Sequence, residues 1–132
     1  MTTRRKFIKA TSLMAGGISA SFMPYSIQSV GLAHHVFFWL KNSESAEDRN
    51  KLIQGIKSLS NISTVRSLHI GVPAATSKRE VIDDSYDVSE LIFFDDIAGQ
   101  NAYQVDPIHL KFVEEYSHLW SKVLVYDTMS VE

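Results

Sequence analysis

Two side chains near the end of the chain have the types and the spacing needed for acid-base chemistry. Tyr103 and His109 lie six positions apart and flank Asp106-Pro107, a pair typical of a helix N-cap and first turn. Histidine, with an ordinary pKa of about 6.5, exchanges protons near neutrality, and tyrosine, at about 10, is a neutral donor. A helix N-terminus adds positive potential beside them. This combination suits proton removal next to a carbonyl, as in an aldol-type cyclase or an isomerase, with His109 as base and Tyr103 as donor.

Tyr103 and His109 also have a structural interpretation, and so do two acidic residues elsewhere in the chain. Tyr103 could pack at the edge of the core and His109 could hydrogen-bond backbone, and on the residues alone this is favoured because two side chains form a small constellation. Glu90 lies mid-strand between apolar neighbours, and a buried carboxylate needs a partner, so it either helps to build a pocket or forms a dimer contact. Tyr126 and Asp127 are interpreted as packing plus a polar strand end.

The other histidines divide between the two faces of their strands. His34 and His35 are neighbours, so on a strand they face opposite sides and cannot bind one metal together. His34 shares a face with apolar residues and is the better pocket candidate, whereas His69 is interpreted as a structural or edge histidine. No metal-ligand spacing supports a site formed by His34, His69 and His109. We therefore expect no metal and no cofactor.

Strand-like and helix-like segments alternate along the chain. The strand-like segments, aromatic and β-branched, are 34–41, 63–72, 86–96 and 122–131. A first helix is predicted from an N-cap at Ser45 to about Leu59, a short helix or turn at 97–105, and a last helix from Pro107. The positions of this last segment expected to face inward are Leu110, Val113, Tyr116 and Trp120. The order βαββαβ, with its last helical region split at Asp106-Pro107, is the ferredoxin-like α+β pattern, a four-stranded antiparallel sheet with helices on one face.

The first strand is apolar on both of its faces. One alternating set is Val36-Phe38-Leu40 and the other is His35-Phe37-Trp39, so both faces must be covered. Helices cover one of them. We expect the other to pack against a second copy of the chain, giving a homodimer that closes sheet to sheet into an α+β barrel.

The front of the chain has the layout of an export signal. No Asp or Glu precedes Glu44, and a basic stretch from Arg4 to Lys9 is followed by a short apolar run. The string TRRKFIK resembles the twin-arginine export motif. We therefore expect residues 1–33 to be a signal and linker, 34–132 to be the folded domain, and the protein to be exported to the periplasm. Cleavage between Ala20 and Ala33 and retention as an anchor both stay open.

Composition narrows the classes of function. The chain has 132 residues, about 100 of them beyond the signal, which is enough for one small domain. Without the four cations of the signal it has 9 Lys and Arg against 15 Asp and Glu, a formal charge of −6. An acidic domain without a basic stripe argues against nucleic acid as a partner, and membrane contact is expected only through the signal. The absence of cysteine excludes disulfides, thiolate metal sites and a cysteine nucleophile.

Three segments together resemble the stress-responsive dimeric A/B barrel (Dabb) family. They are HHVFFWLK at 34–41, YDVSELIFF at 86–94, and AYQVDPIHLKFVEEY at 102–116 followed by LVYDT at 124–128. The most specific element is Tyr103-x-x-x-Pro107-x-His109. The resemblance implies a ferredoxin-like unit that dimerises sheet to sheet. Many members have a histidine before the proline, where this chain has Asp106, so a helix cap replaces one imidazole.

The resemblance also implies a site. Some plant members are polyketide cyclases with a pocket between sheet and helices, in which the residues matching Tyr103 and His109 carry the chemistry. The ligand-binding residues that we infer are His34, Val36, Phe38, Leu52, Ile53, Ile56, Phe112 and Trp120.

Four functions remain open. The first is an exported homodimer that binds a small apolar or aromatic molecule in this pocket. The second is a cofactor-independent cyclase, lyase or isomerase that uses the Tyr/His pair, and the third is a structural or stress-protection dimer with a filled core. Turnover would separate the first two, and the presence of a cavity separates both from the third. A cofactor-free monooxygenase of related dimeric barrels is a fourth alternative.

Overall fold

The computed structural model describes residues 31–131, which form four strands and three helices. The strands are β1 (Leu32–Leu40), β2 (Ser67–Gly71), β3 (Val88–Phe94) and β4 (Trp120–Met129). The helices are α1 (Ala46–Ser58), α2 (Ile97–Val105) and α3 (Pro107–Tyr116). The predicted export signal falls on residues 1–33, of which 1–30 lie outside the described part of the chain. Within the described residues, no helix is both long and apolar enough to cross a membrane.

The strands form one antiparallel sheet in the order β2-β3-β1-β4. The predicted ferredoxin-like α+β fold is confirmed, including the split between α2 and α3. β1 begins before the predicted His34, because Leu32 already pairs with Phe94 of β3 and Met129 of β4. Just ahead of it, Gly31 has a φ of +84°, and the carbonyl of Asp95 occupies the place where a Cβ would lie. β1 is therefore held at its start by both of its neighbours.

Side-chain caps set where the helices begin. The hydroxyl of Ser45 accepts a hydrogen bond from the backbone N–H of Asp48, which confirms the predicted start of α1. The carboxylate of Asp106 accepts from the backbone N–H of Ile108, and Pro107 occupies the first turn of α3. α2 and α3 are thus two separately started helices rather than one.

The hydrophobic core lies between α1 and the sheet. Its fully buried apolar residues include Leu52, Ile56, Leu59, Val88, Ile92 and Phe94. Burying one such side chain contributes roughly 1.5–3 kcal/mol. Gly55 lets α3 approach α1 closely, since a Cβ at this position would lie 2.7 Å from the ring of Tyr116. This layer holds the helices in place over the sheet.

The inward face of α3 differs from the predicted one. Leu110 and Val113 are 55% and 38% exposed, whereas Phe112 is buried and Ile108 and Tyr116 pack against the core. Residues spaced by four share one side of a helix. The row of Ile108, Phe112 and Tyr116 therefore faces the core, with Tyr116 against α1, and Val113 lies beside this row.

The opposite face of the sheet carries no helix among the described residues. Half-buried His35, Phe37 and Trp39 of β1 lie on it, together with Tyr126 of β4, which is 57% exposed. The loop between β2 and β3 reaches this face, where the ring of Tyr86 lies edge-on to that of Phe37 with centroids 4.9 Å apart. We call this surface the open face.

Candidate functional site

A cavity of about 400 Å³ lies between the sheet and the helices α2 and α3. This volume is within the range of small-molecule sites. Its polar lining consists of His34, Glu90, Gln100, Tyr103, Gln104, His109 and Asp127. Its apolar lining consists of Val36, Phe38, Phe112, Val113, Trp120, Val123 and Val125.

Polar and apolar lining residues occupy opposite ends of the cavity floor. β1 and β4 run antiparallel, with His34 opposite Asp127 and Phe38 opposite Val123. The step from His34 to Phe38 spans about 13 Å at the usual rise of a strand. The floor therefore changes from hydrogen-bonding to apolar along the strand direction.

The break between α2 and α3 determines which nitrogen of His109 carries a proton. In a continuous helix the carbonyl of Gln104 would accept from the N–H of Ile108, but Asp106 is extended and its carboxylate takes that N–H at 2.8 Å. The carbonyl of Gln104 instead accepts from Nδ1–H of His109 at 3.1 Å. Because a carbonyl oxygen only accepts, Nδ1 carries the proton, and Nε2 of the neutral ring keeps the lone pair of a base.

His34 is fixed in the same tautomer by a carboxylate. Its Nδ1 lies 2.5 Å from Oδ1 of Asp127, directly opposite on β4. An ionised carboxylate only accepts, so Nδ1–H of His34 donates to it, and a neutral ring in this arrangement keeps its lone pair on Nε2. The imidazole is buried, whereas the side chain of Asp127 is 46% exposed.

The ring of Tyr103 is adjacent to both imidazoles. Its centroid is 5.6 Å from that of His34 and 4.6 Å from that of His109. Tyr103 is only 1% exposed, and its hydroxyl donates to Oε1 of Glu90 at 3.0 Å. Tyr103 and His109, which the sequence assigned to chemistry, therefore lie together with the pocket histidine His34, and Glu90 joins them.

Burial changes the protonation of these groups. It raises the pKa of Glu90 from its ordinary 4.5 to about 7, although the hydrogen bond from Tyr103 acts in the other direction. Burial, together with the charge of Glu90, raises the pKa of the Tyr103 hydroxyl, which therefore stays protonated. Burial also lowers the pKa of His109, against the effect of its bond to Gln104. The neutral imidazole, with its basic Nε2, is the form that this environment favours.

Most of the predicted site residues lie at the cavity, and three do not. Those that line it are Tyr103, His109, His34, Val36, Phe38, Phe112 and Trp120, the last of which begins β4. Leu52, Ile53 and Ile56, which were predicted to bind the ligand, do not line this cavity. These side chains pack in or against the core, because α1 lies over β2 and β3 whereas the cavity lies chiefly over β1 and β4.

The structure also adds residues that sequence reasoning missed. Asp127, interpreted as a polar strand end, is the partner of His34, and Glu90, predicted either to help build a pocket or to form a dimer contact, lines the cavity. Val123 and Val125 share the cavity face with Asp127 by strand alternation. That signal is readable only once β4 is known to pair with β1. Tyr103 is also buried in the core, and His109 also hydrogen-bonds a backbone carbonyl, as the structural interpretation expected.

The histidines do not gather into a metal site. His69 is opposite Leu91 on the open face, whereas His34 and His109 line the cavity on the helical side. Within residues 31–131, no three His, Asp or Glu side chains are arranged to hold a metal ion.

These features define a ferredoxin-like α+β protein with a ligand-sized cavity on the helical side of its sheet. The chain belongs to the stress responsive A/B barrel domain family, whose sequence model matches residues 32–130. No curated protein matches the chain significantly in sequence.

Several solved structures share this fold. A hydroxynitrile lyase from Passiflora edulis is 20% identical with a TM-score of 0.66, over 80% of this chain and 97% of its own. A Dabb family protein from Mesorhizobium loti is 23% identical with a TM-score of 0.61, over 77% of this chain and 99% of its own. A dimeric protein of unknown function from Bacteroides fragilis is 15% identical with a TM-score of 0.59, over 80% and 100%. The fold and the family predicted from the sequence are thereby confirmed.

Proposed function

We propose that this protein binds a small organic molecule with an oxygen-bearing head and an apolar or aromatic body. The observation that carries the proposal is the polarity gradient along the cavity. Imidazoles and a phenol at one end suit a carbonyl, hydroxyl or carboxyl oxygen. At the other end, the ring of Trp120 lies 5.1 Å from that of Phe38 and 5.7 Å from that of Phe112, between centroids, and such rings favour a flat apolar group.

The presence of this cavity supports the ligand-binding function over a stress-protection dimer with a filled core. A filled core would leave no space between α3 and the strands, whereas Val113, Val123 and Val125 are all partly exposed along it. A ligand lying there would cover these side chains. Its apolar body would then contribute about 25 cal/mol for each Å² removed from water.

Native mass spectrometry of the full chain tests binding. We expect a bound small molecule to survive in the native spectrum and to be released under denaturing conditions. Val113→Trp fills the cavity and should abolish the adduct. Leu110→Trp is the matched control, because Leu110 is exposed on the same helix and does not line the cavity. A native spectrum of the wild-type protein without any adduct, even after incubation with aromatic carboxylic acids and aldehydes, would contradict the proposal.

The site geometry favours a second candidate function, a cofactor-independent lyase or isomerase. His109 presents a neutral imidazole with a basic Nε2, and Tyr103 adds a hydroxyl beside it. The Passiflora edulis neighbour is a hydroxynitrile lyase. In a step of that class the base removes the hydroxyl proton, the carbon–oxygen bond becomes a carbonyl, and the bond to the nitrile carbon breaks. Cyanide leaves and takes up a proton, so an aldehyde and hydrogen cyanide are formed.

Cleavage of mandelonitrile, followed by the absorbance of benzaldehyde, tests this candidate. We expect turnover that is lost in His109→Ala and reduced in Tyr103→Phe by about 10²-fold or more, the usual contribution of a general acid or base. A rate that is the same with wild type, His109→Ala and no protein would exclude this lyase activity while leaving the binding function intact.

We also propose that two copies pair through the open face. Aromatic side chains are concentrated there, Tyr126 is 57% exposed, and the Bacteroides fragilis neighbour is described as dimeric. Light scattering after size exclusion should give a dimer for wild type and a monomer for Tyr126→Glu. The control is Leu110→Glu, which places the same charge on an exposed apolar position of the helical side. A wild-type monomer would contradict this proposal.

Finally, we propose that the chain is exported through the twin-arginine route. The support is the arginine pair Arg4-Arg5 in a basic segment ahead of a short apolar run. In fractionated bacterial cells the wild-type chain should appear in the periplasm, and replacement of both arginines by lysine should hold it in the cytoplasm. Equal distribution of the two forms would contradict export by this route.

A further inference from the structure

Glu90 is a buried acid whose only described partner is a tyrosine. It lies mid-strand in β3, 2% exposed, between Val36 of β1 and Ile70 of β2. Among the described residues, no Lys, Arg or His forms an ion pair with it, and its carboxyl group accepts from the hydroxyl of Tyr103 at 3.0 Å. It also lines the cavity. Burying a carboxyl costs free energy unless it is paired, and the core itself has no need for one at this position.

Tyr103 has a single hydroxyl hydrogen, so the protonation state of Glu90 determines where that hydrogen points. An ionised carboxylate can only accept, so when Glu90 is charged the hydrogen of Tyr103 is committed to it. The phenol oxygen then offers the cavity lone pairs alone. A protonated carboxyl can itself donate to the phenol oxygen, and this frees the hydrogen of Tyr103 to point to a ligand.

We propose that Glu90 is a positioning residue that decides whether Tyr103 presents a donor or an acceptor to the cavity. With Glu90 protonated, the site binds an anionic oxygen of a phenolate or an enolate; with Glu90 ionised, it rejects that oxygen. The inference rests on the proposed binding function, and it adds the ligand class: an aromatic or enolic molecule that carries its negative charge on oxygen. No covalent step is involved, since only one proton and one hydrogen bond are rearranged.

Other titratable groups around this pair must be considered. His34 of β1 lies edge-on to Tyr103 and is hydrogen-bonded to Asp127 of β4, and the ring of His109 of α3 lies 4.6 Å from that of Tyr103 between centroids. β2 contributes only Ile70 beside Glu90. A histidine that gains a proton would also favour an anion at low pH. The effect of Glu90 must therefore be isolated by a variant rather than read from the wild-type profile.

The protonation of Glu90 changes near neutral pH. Burial raises the pKa of Glu90 to about 7, so the two forms of the pair exchange near neutrality. Burial lowers the pKa of His109, so this ring gains a proton only at more acidic pH.

The experiment is calorimetric titration with 2,4-dinitrophenolate, an aromatic oxyanion that stays ionised over the range needed. Wild type should bind it about tenfold more weakly at about pH 8 than at about pH 6, the value of one hydrogen bond to a charged oxygen. Glu90→Gln should lose this step and bind at both pH values as wild type does at the lower one, because an amide can donate to Tyr103. Tyr103→Phe should bind about tenfold more weakly than wild type at the lower pH and show little further loss.

Three results would overturn the inference. An unchanged step in Glu90→Gln would assign the pH dependence to the histidines. A full step in Tyr103→Phe would mean that the charge of Glu90 acts by repulsion, without the tyrosine. If Glu90→Gln does not fold, Tyr103→Phe still tests the inference, because a step carried by the hydroxyl of Tyr103 is lost in this variant, whereas a step carried by the histidines or by repulsion remains. Absence of binding by wild type at every pH would instead contradict the proposed function, and the inference would fall with it.

Discussion

Replacement of Glu90 by glutamine should change how the stability of this protein depends on pH. Below about pH 4.5 the carboxyl is protonated in both the folded and the unfolded chain. Between that value and its folded pKa of about 7, the unfolded chain releases the proton and the folded chain keeps it. Stability therefore falls as pH rises through this window, and the loss is complete above it.

The size of the change in stability follows from the shift in the pKa of Glu90. A rise from 4.5 to about 7, at about 1.4 kcal/mol for each pKa unit, removes about 3 kcal/mol from the free energy of unfolding. Glutamine cannot ionise, so Glu90→Gln should be close to wild type at about pH 4.5 and about 3 kcal/mol more stable at about pH 8. For a domain of this size that difference corresponds to roughly 10 °C or more in Tm.

Urea unfolding of both proteins across this range, at one fixed protein concentration, is the assay. The fixed concentration matters because association also stabilises the folded state. Glu114→Gln is the control, since Glu114 is an exposed glutamate of α3, and we expect it to follow wild type at every pH. Parallel stability curves for Glu90→Gln and wild type would refute the reasoning, because Glu90 would then ionise as easily in the folded chain as in the unfolded one.

Other substitutions test the remaining parts of the structure. Asp127→Ala should cost less than about 1 kcal/mol, since its side chain is 46% exposed, yet ¹⁵N NMR should show that His34 no longer holds its proton on Nδ1 alone. Leu52→Ala should cost about 2–5 kcal/mol in urea unfolding and leave the affinity of the folded protein for 2,4-dinitrophenolate unchanged. Val113→Ala, by contrast, should change stability by less than about 1 kcal/mol at this half-open position and weaken the same binding. Equal effects of the last two on affinity would contradict the placement of α1 away from the cavity.

Local signals made much of the fold predictable. The cap at Ser45 and the cap and proline at Asp106-Pro107 lie within a few residues of the helices that they start, so one stretch of sequence is enough to place them. The convergence of Tyr103 and His109 was predictable for the same reason, because both flank one helix break. The two apolar faces of β1 likewise indicated a sheet covered on both sides.

Long-range placement was not predictable in the same way. His34 and Asp127 are 93 positions apart, and only the register of β1 with β4 brings them together. Leu52 and Ile56 have the spacing of a helix face that must be covered, but nothing local says which half of the sheet covers it. The family resemblance placed them at the pocket, and the position of α1 over β2 and β3 places them in the core.

The carbonyl of Gln104, which accepts from His109 rather than from a helix N–H, has a consequence for comparing this chain with its relatives. The base character of His109 depends on a backbone group that exists only because the chain stops one helix and starts another at Asp106. A homologue with the same tyrosine and histidine on an unbroken helix would keep both side chains and lose the group that orients the imidazole. A comparison limited to side-chain identity would miss this difference, because it lies in the backbone between α2 and α3.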